Sequence, residues 1–275
     1  MKDLITIEEL GKLSGLFRGK CGRAFARFAM HLTGIDKCNA ASRAVNTTGP
    51  DAAKDLLEYA GIKYQTQFPG GELNLPEGAF ITISNHVYGA MDGVSLLDII
   101  GHKRPSYKLL ANRVLSRIHQ MEDSFISVDP KGNEAKAATS ASISGIRTAM
   151  KHLSSGEPLG FFPAGAVSDL SVKEGFKIRD REWQDSVIRL IMKAKVPVIP
   201  VHFIDRNTNS YFALGLLGWK IRLLRLPREQ FNKKGKPFRL VFGDPIPPEK
   251  IAEFSDDVPA LKSFLRNSVY SLRWN

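Results

Sequence analysis

From residue 62 onward, short apolar runs alternate with longer amphipathic stretches, and Gly- and Pro-rich turns separate them. Runs rich in β-branched and aromatic residues predict buried strands, and apolar positions spaced three and four apart predict helices. Strands are expected at 80–83, 125–128, 159–162, 196–203 and, together with a turn, 239–246; helices are expected at 51–59, 135–153, 183–194 and 256–272. Strands joined through helices are the building block of parallel sheets. The pattern therefore predicts an α/β fold with a mixed, mostly parallel sheet flanked by helices.

Two stretches fit this scheme less directly. Residues 62–67 alternate between two sets of side chains, which predicts an antiparallel or edge strand. In residues 103–120 the apolar positions follow a helical stripe, and this stripe predicts a basic helix. The apolar positions of the stripe are Leu109, Leu110, Val114, Leu115 and Ile118.

Residues 11–35 form a basic stretch that contains no acidic residue. The apolar residues of this stretch lie on one helix face and are Phe17, Cys21, Phe25, Phe28 and Leu32. A basic amphipathic helix with aromatic residues can lie in a lipid interface, and it can equally pack that face on the rest of the protein. We predict a helical N-terminal region over 1–60, with the membrane interface as one candidate role, and a main domain over 61–275.

A second apolar and aromatic run, 211–219, precedes Lys220, Arg222, Arg225 and Arg228. It predicts either a second interfacial patch or a buried helix or strand with a charged end. No charge-free run reaches the roughly twenty residues that a bilayer crossing needs. Any contact with a membrane is therefore expected to be peripheral.

The net charge of +11 is unusual in a composition that is otherwise ordinary, with 43% hydrophobic and 24% charged residues. This charge fits an anionic partner, which could be nucleic acid, a membrane surface or an acidic carrier protein. Nucleic-acid binding without catalysis is the alternative from a different functional class. The aromatic residues argue against it, because they lie mostly in or beside apolar runs rather than among basic residues in exposed loops. The two cysteines and the charged N-terminus indicate a reduced, cytoplasmic protein without a secretory signal.

The strongest candidate for chemistry lies where the predicted strand 80–83 ends. Asn85 and His86 follow this strand, and Asp92 comes after a turn at Gly89. Positions six apart on one helix point about 240° away from each other, whereas a strand–turn–helix can fold the aspartate back onto the ring. The carboxylate would then hold the proton of one imidazole nitrogen and leave the other free as a base. The spacing alone also fits a structural histidine at a strand end.

A second candidate loop follows the predicted strand 159–162. That strand ends in the turn Pro163-Ala164-Gly165, and small residues at a strand end allow a ligand to approach the backbone closely. Taken alone, the run also fits an ordinary exit from a strand. Further along, residues 196–201 read Val-Pro-Val-Ile-Pro-Val.

In combination, these motifs resemble the glycerolipid (lysophosphatidic acid) acyltransferase superfamily. That family has, in order, Asn-His-x4-Asp, a middle motif that ends in Arg, Phe-Pro-Glu-Gly and a Val-Pro-x-x-Pro strand. The resemblance covers residues 75–205, and the order of the motifs is more specific than any one of them. Five residues separate His86 from Asp92 here. This spacing is similar to the spacing in a bacterial subgroup of the family. That subgroup includes hemolysin-like acyltransferases and enzymes that make amino-acid-headed lipids.

Two further departures from the family concern the acceptor. Ala164 stands where the family has its glutamate, and the middle motif, at 124–130, lacks its arginine. In the family these groups bear on the glycerol-phosphate end of the acceptor. The main expectation remains lysophosphatidic acid, as in phospholipid synthesis. The alternative is a monoacylated amino-acid lipid of the glycine or ornithine type, which would make the protein an O- or N-acyltransferase.

The resemblance implies a reaction in which a fatty acyl group moves from an acyl thioester to a lysolipid hydroxyl. His86 would be the base and Asp92 would orient its ring. The acceptor and oxyanion region would be shaped by Asn85, Phe162, Pro163, Ala164 and Gly165. No cofactor is implied besides the thioester co-substrate, which is carried on acyl carrier protein or coenzyme A.

The resemblance and the charge together set the expected surroundings of the protein. The expected partners are an anionic membrane surface, the lysolipid and the thioester carrier, with no nucleic acid. The expected location is cytoplasmic and peripheral on the inner face of the cytoplasmic membrane. Other chemistries lack their signatures, because the chain has no Gly-x-Ser-x-Gly elbow, no phosphate-binding loop and no short-range histidine pairing for a metal.

Overall fold

A seven-stranded sheet lies at the centre of the computed structural model, which describes residues 3–112, 117–128, 143–171, 175–233 and 235–275. The strands of the described residues are β1 Tyr64–Gln67, β2 Ile81–Ser84, β3 Lys108–Asn112, β4 Phe125–Val128, β5 Leu159–Phe161, β6 Asp169–Ser171, β7 Lys177–Arg179, β8 Val198–Phe203 and β9 Phe238–Phe242. The sheet order is β1-β9-β8-β2-β5-β3-β4, and β6 and β7 form a separate antiparallel pair. Only β8 and β9 are antiparallel among the neighbours in this described sheet. The predicted mixed, mostly parallel sheet is confirmed.

Helices cover both faces of the sheet. In the described residues they are α1 Ile7–Leu13, α2 Gly19–Thr33, α3 Ile35–Ala44, α4 Gly49–Ala60, α5 Ala90–Gly101, α6 Ile143–Ser154, α7 Asp185–Ala194, α8 Asn209–Leu217, α9 Trp219–Phe231, α10 Pro248–Ala252 and α11 Val258–Tyr270. One apolar core joins α4 and α5 to the sheet, and a second core joins α6, α7 and α11 to the opposite face. All four residues of β2 are buried, because this strand lies in the middle of the sheet with a core on each side.

Parallel pairing determines where the candidate residues meet. β2 runs parallel to β5, with Ile83 opposite Phe161. The residues that leave the carboxyl ends of these two strands therefore emerge at the same edge of the sheet. His86 follows β2 and Phe162 follows β5, so the two loops that the sequence singled out are neighbours.

The stretch 103–120 is not the helix that its stripe predicts. Residues 108–112 form β3, which lies between β5 and β4, and residues 113–116 are outside the described part of the chain. Leu109 and Ala111 are both almost fully buried. A strand that is covered on both faces has a continuous apolar run, and such a short run is easily mistaken for a helix. Residues 129–142, which include the end of the middle motif and the start of the predicted helix 135–153, also lie outside the described residues.

The N-terminal 60 residues are helical in their described part. Gly34 caps the end of α2 and has φ +84°. It lies so close to α9 that a Cβ at this position would be only 2.8 Å from the Arg228 Cα. α2 therefore packs on α9. The buried alanines of α4, Ala52 and Ala53, belong to the same core as α5. The division of the chain at residue 60 stays a prediction.

We predict that Gly160→Ala destabilises the protein by about 1–3 kcal/mol, because extra volume in a packed core is costly. A Cβ at Gly160 would overlap the Tyr107 hydroxyl and lie 2.5 Å from Leu109 Cδ2. The measurement is denaturant unfolding of both proteins. Gly78→Ala is the control, since a Cβ there meets nothing within 4 Å. Equal stability of Gly160→Ala and the wild type would contradict the packing described here.

Candidate active site

The turn at Gly89 brings His86 and Asp92 into direct contact. The His86 Nδ1 lies 2.8 Å from the Asp92 Oδ2. The same oxygen accepts hydrogen bonds from the backbone N–H groups of Tyr88, at 2.9 Å, and Gly89, at 3.1 Å. Gly89 has φ +79° and ψ −125°, which lets the chain reverse before α5 begins at Ala90. The carboxylate thus fixes both the ring and the turn that carries it.

The other ring nitrogen of His86 is available for chemistry. Its Nε2 makes no hydrogen bond to any described residue, and the side chain keeps 16% of its surface exposed. The ring stacks on Phe162, with 4.4 Å between ring centroids. When Nδ1–H donates to Asp92, Nε2 carries the lone pair of a neutral imidazole. Such a histidine can remove a proton from a hydroxyl group.

Asp92 is completely buried at the start of α5. A carboxylate in the first turn of a helix is stabilised by the positive end of the helix dipole. Its second oxygen, Oδ1, has no hydrogen-bond partner among the described residues. The hydrogen bonds of this carboxylate to described residues therefore all converge on Oδ2, from His86 and the two backbone N–H groups.

A second buried carboxylate, Asp180, holds the backbone of His86. Its Oδ1 accepts from the His86 N–H at 3.0 Å and from the Ser168 hydroxyl at 2.6 Å, and its Oδ2 accepts from the Trp183 indole at 3.1 Å. The Ser168 N–H and hydroxyl in turn reach the His86 carbonyl. Burial raises the pKa of Asp180, against the opposing effect of these hydrogen bonds. Both backbone groups of His86 are thus fixed by the chain beyond β5.

Asn85 has a different environment from the one expected. It is 3% exposed, and its amide donates to the Phe203 carbonyl at 2.9 Å while accepting from the Phe203 N–H at 2.8 Å. The side chain therefore takes the place of a backbone group and adds one more pair of hydrogen bonds between the end of β2 and β8. Both ends of the amide are occupied by backbone, so Asn85 fixes the start of the histidine turn, and its role in shaping the acceptor region stays a prediction.

The loop after β5 places its residues in three different environments. Phe162 lies against His86, whereas Ala164 is 4% exposed and belongs to the second core. The Pro163 carbonyl accepts from the Gln184 N–H at 2.9 Å, which fastens the loop to the start of α7. Gly165 is exposed and has φ +65°. Phe162 is thus the one residue of this loop that the structure brings to the His86 ring; the roles of all four in binding stay predictions.

Residues from the C-terminal third fix the turn between His86 and α5. Asn207 donates to the Val87 carbonyl at 2.8 Å, and Gln230 donates to the Tyr88 carbonyl at 2.7 Å. The Lys233 ammonium donates to the Asn207 Oδ1 at 2.7 Å and lies 4.4 Å from the centroid of the Tyr88 ring. Lys233 is only 8% exposed, and burial lowers its pKa to about 8.

Sequence reasoning missed these supporting residues. Asp180 and Gln230 lie 94 and 142 positions from their partners in the His86 turn. No local motif marks an aspartate or a glutamine as a distant hydrogen-bond partner. Ser168 follows the Pro163-Ala164-Gly165 turn by three residues, and a serine in such a position carries no signal of a distant partner either.

Comparison with known proteins gives the family. A family model described as "Acyltransferase" matches residues 54–274, which is most of the chain. The chain belongs to this acyltransferase family. The resemblance to the glycerolipid acyltransferase superfamily is thereby confirmed, and the protein is an acyltransferase.

Two curated relatives of this acyltransferase carry the name lyso-glycine lipid O-acyltransferase. The protein from Bacteroides thetaiotaomicron is 30% identical over 227 residues, which are 76% of this chain and 79% of the relative. The protein from Phocaeicola vulgatus is 28% identical over 277 residues, covering 93% of this chain and 94% of the relative. The crystal structure of the 1-acyl-sn-glycerophosphate acyltransferase PlsC from Thermotoga maritima matches 82% of this chain and 83% of its own. Its identity to the acyltransferase described here is 16% and the TM-score is 0.46.

In the described part of the acyltransferase, no helix has the length and apolar character that a membrane crossing requires.

We predict that Lys233→Met removes a pH-dependent part of the stability of the acyltransferase. Between pH 8 and 10.5, the ordinary pKa of lysine, Lys233 is protonated in the unfolded chain and neutral in the folded chain. The wild-type free energy of unfolding should therefore gain about 1–3 kcal/mol from this group as the pH rises from 8 to 10, and the variant should lack that gain. Denaturant titrations at several pH values measure the difference. Parallel pH profiles for the two proteins would show that the ammonium is not desolvated in the folded state.

Proposed function

We propose that this acyltransferase moves a fatty acyl group from an acyl thioester to the hydroxyl of an amino-acid-headed lysolipid, of which lyso-glycine lipid is the example. The observation that carries this proposal is the His86–Asp92 pair. One ring nitrogen is held by a buried carboxylate, and the other makes no bond to a described residue. That arrangement suits a base that acts on a hydroxyl without forming a covalent intermediate.

In the proposed reaction, the His86 Nε2 takes the proton of the acceptor hydroxyl as its oxygen attacks the thioester carbonyl carbon. A carbon–oxygen bond forms, the carbon–sulfur bond breaks, and the imidazolium returns the proton to the departing sulfur. Asp92 stabilises the imidazolium through the Nδ1 hydrogen bond. Asn85 and Asp180 contribute indirectly, because their hydrogen bonds hold the backbone that carries the His86 ring.

The names of the relatives favour an amino-acid lipid over lysophosphatidic acid as the acceptor. The residue at position 164 supports the same choice. Its side chain lies in the second core, where a glutamate would place an unpaired charge in apolar surroundings. Lysophosphatidic acid therefore becomes the competitor in the test rather than the main expectation.

We further propose that the protein docks on an anionic membrane through an apolar ridge. The ridge consists of side chains that are 51–73% exposed, from α2 with the turn before it and from α8 and α9: Leu16, Phe25, Phe28, Leu32, Leu216, Leu217, Trp219 and Leu224. The two parts adjoin, because Arg228 of α9 donates to the Leu32 carbonyl. Exposed cations lie on the same helices, at Lys20, Arg23, Arg27 and Lys220. Large apolar side chains with basic neighbours match a lipid interface of negative charge. The helical N-terminal region proposed over 1–60 would supply half of this ridge.

The thioester carrier is the remaining part of the proposal. Acyl carrier protein and coenzyme A are both anionic, and the net charge of +11 favours association with either.

His86→Ala should lower acyl transfer by roughly 10²–10⁴-fold, the usual contribution of a positioned general base. The assay follows label from acyl-carrier-protein and coenzyme A thioesters into lyso-glycine lipid and into lysophosphatidic acid. We expect the wild type to label the glycine lipid. The matched control is His119→Ala, which removes an exposed histidine and should change nothing.

Full activity of His86→Ala, in a variant that unfolds like the wild type, would contradict the assigned base. Label that enters only phosphatidic acid would contradict the amino-acid acceptor and leave the acyl transfer in place.

Replacing Phe28, Leu217 and Trp219 of the ridge together by Ser should weaken binding to anionic vesicles by at least ~10²-fold. Burying each large apolar side chain in lipid contributes about 1.5–3 kcal/mol, and exposed positions affect folding little. Vesicle co-sedimentation measures the loss, and Tyr59→Ser, at an exposed aromatic residue outside the ridge, is the control. Unchanged vesicle binding in the triple variant would show that the membrane does not dock on this ridge.

A further inference from the structure

Arg222 on α9 is a buried cation whose hydrogen bonds to described residues all come from one nitrogen, NH1. It is 2% exposed. Its NH1 donates to the Ser168 carbonyl at 3.0 Å and to the Asp169 Oδ1 at 2.6 Å. The Nε is buried without a partner, and the NH2 makes no hydrogen bond to any described residue. The unused Nε–NH2 edge is the pair of parallel donors that grips a carboxylate.

A second unpaired donor belongs to a residue whose ring contacts the Arg222 guanidinium. Tyr211 of α8 is completely buried, and its hydroxyl has no partner among the described residues. The Arg222 guanidinium lies 5.4 Å from the centroid of the Tyr211 ring. Burial raises the pKa of Tyr211 to about 12, so the hydroxyl remains a donor at neutral pH. Leaving buried polar groups without partners is costly, and unpaired donors on two residues in contact suit an acceptor of negative charge.

Arg222 shares its carboxylate partner with a second guanidinium group. Asp169 is the carboxylate that pairs with it, and the same Asp169 also pairs with Arg181 at 3.3 Å. One carboxylate therefore serves two guanidinium groups, and one of these is buried. A buried charge with an incomplete set of partners favours binding of a counter-charge.

Arg222 lies close to the proposed base. It donates to the carbonyl of Ser168, and the same Ser168 donates its N–H to the His86 carbonyl. Gly215 of α8 makes room for the guanidinium, since a Cβ there would lie 3.2 Å from the Arg222 Cδ. The headgroup of a lysolipid lies near the hydroxyl that His86 would deprotonate, so a headgroup site belongs among the residues that contact the His86 turn.

We propose that Arg222, assisted by the Tyr211 hydroxyl, binds the anionic headgroup of the lysolipid acceptor, and that this headgroup is a carboxylate. The inference rests on the proposed function. A glycine that is attached to its lipid through nitrogen keeps a free carboxylate, which fits the Nε–NH2 edge in bidentate geometry. Lysophosphatidic acid offers a phosphate to the same donors. The carboxylate and the phosphate acceptors are therefore tested in separate arms of one experiment.

The experiment compares two acceptors that differ only in the headgroup: an N-acylated lyso-glycine lipid and its carboxamide. For the wild type we expect kcat/KM to be roughly 10–100-fold lower with the carboxamide, the usual effect of losing a charge-assisted bidentate contact. In Arg222→Gln the carboxylate acceptor should lose this advantage, so that both acceptors react at similar low rates. Arg225→Gln is the matched control; it removes an equal charge from α9 and should keep the wild-type preference.

The outcomes separate a headgroup site from a structural role. If Arg222 merely holds the Ser168–Asp169 segment, Arg222→Gln lowers kcat/KM equally for both acceptors, and the inference is overturned. A wild type that uses both acceptors equally overturns it too, even if the variant does not fold. Transfer by the wild type to neither glycine acceptor means that the proposed function itself has failed.

The third arm uses lysophosphatidic acid with the wild type and Arg222→Gln. If only this acceptor depends on Arg222, the anion is a phosphate and the carboxylate assignment is overturned. The result expected from a carboxylate site is that Arg222→Gln loses a larger fraction of its kcat/KM on the glycine acceptor than on lysophosphatidic acid.

Discussion

The structure around the candidate base depends on one carboxylate oxygen. The Asp92 Oδ2 accepts hydrogen bonds from the His86 ring and from the backbone of Tyr88 and Gly89. These bonds close the strand–turn–helix and set the direction of the imidazole at the same time. Because Asp92 is buried, the three bonds are not in competition with solvent. Folding of the turn and orientation of the ring are therefore one event.

Helix α9 also supports this turn. α9 supplies Gln230, which donates to the Tyr88 carbonyl, and Leu226, whose side chain lies against Gly89. The same helix contributes Trp219 and Leu224 to the exposed apolar ridge. A surface that would meet lipid and a turn that would carry the base thus share one rigid element. This arrangement places the proposed headgroup contact of Arg222 between the two.

Most of the sheet and the His86–Asp92 pair could be predicted from sequence, because both leave signals within short stretches of the chain. β-branched runs mark the strands, and His86 and Asp92 lie within seven residues of one another. The stretch 103–120 was predicted wrongly as a helix, because β3 is covered on both faces and so lacks the alternation that identifies a strand. Asp180 and Arg222 escaped prediction for another reason: their partners are distant in the chain, and only the completed fold brings them together.

The backbone at Gly89 has a consequence for how such chains can vary. Its φ of +79° and ψ of −125° belong to a region that side-chain-bearing residues avoid, and a Cβ there would also lie 3.0 Å from Leu226 Cδ2. A side chain at this position would strain the backbone and press on Leu226, so the turn between His86 and Asp92 depends on a glycine. His-x-x-Gly-x-x-Asp is therefore a more informative signature for this turn than the count of intervening residues.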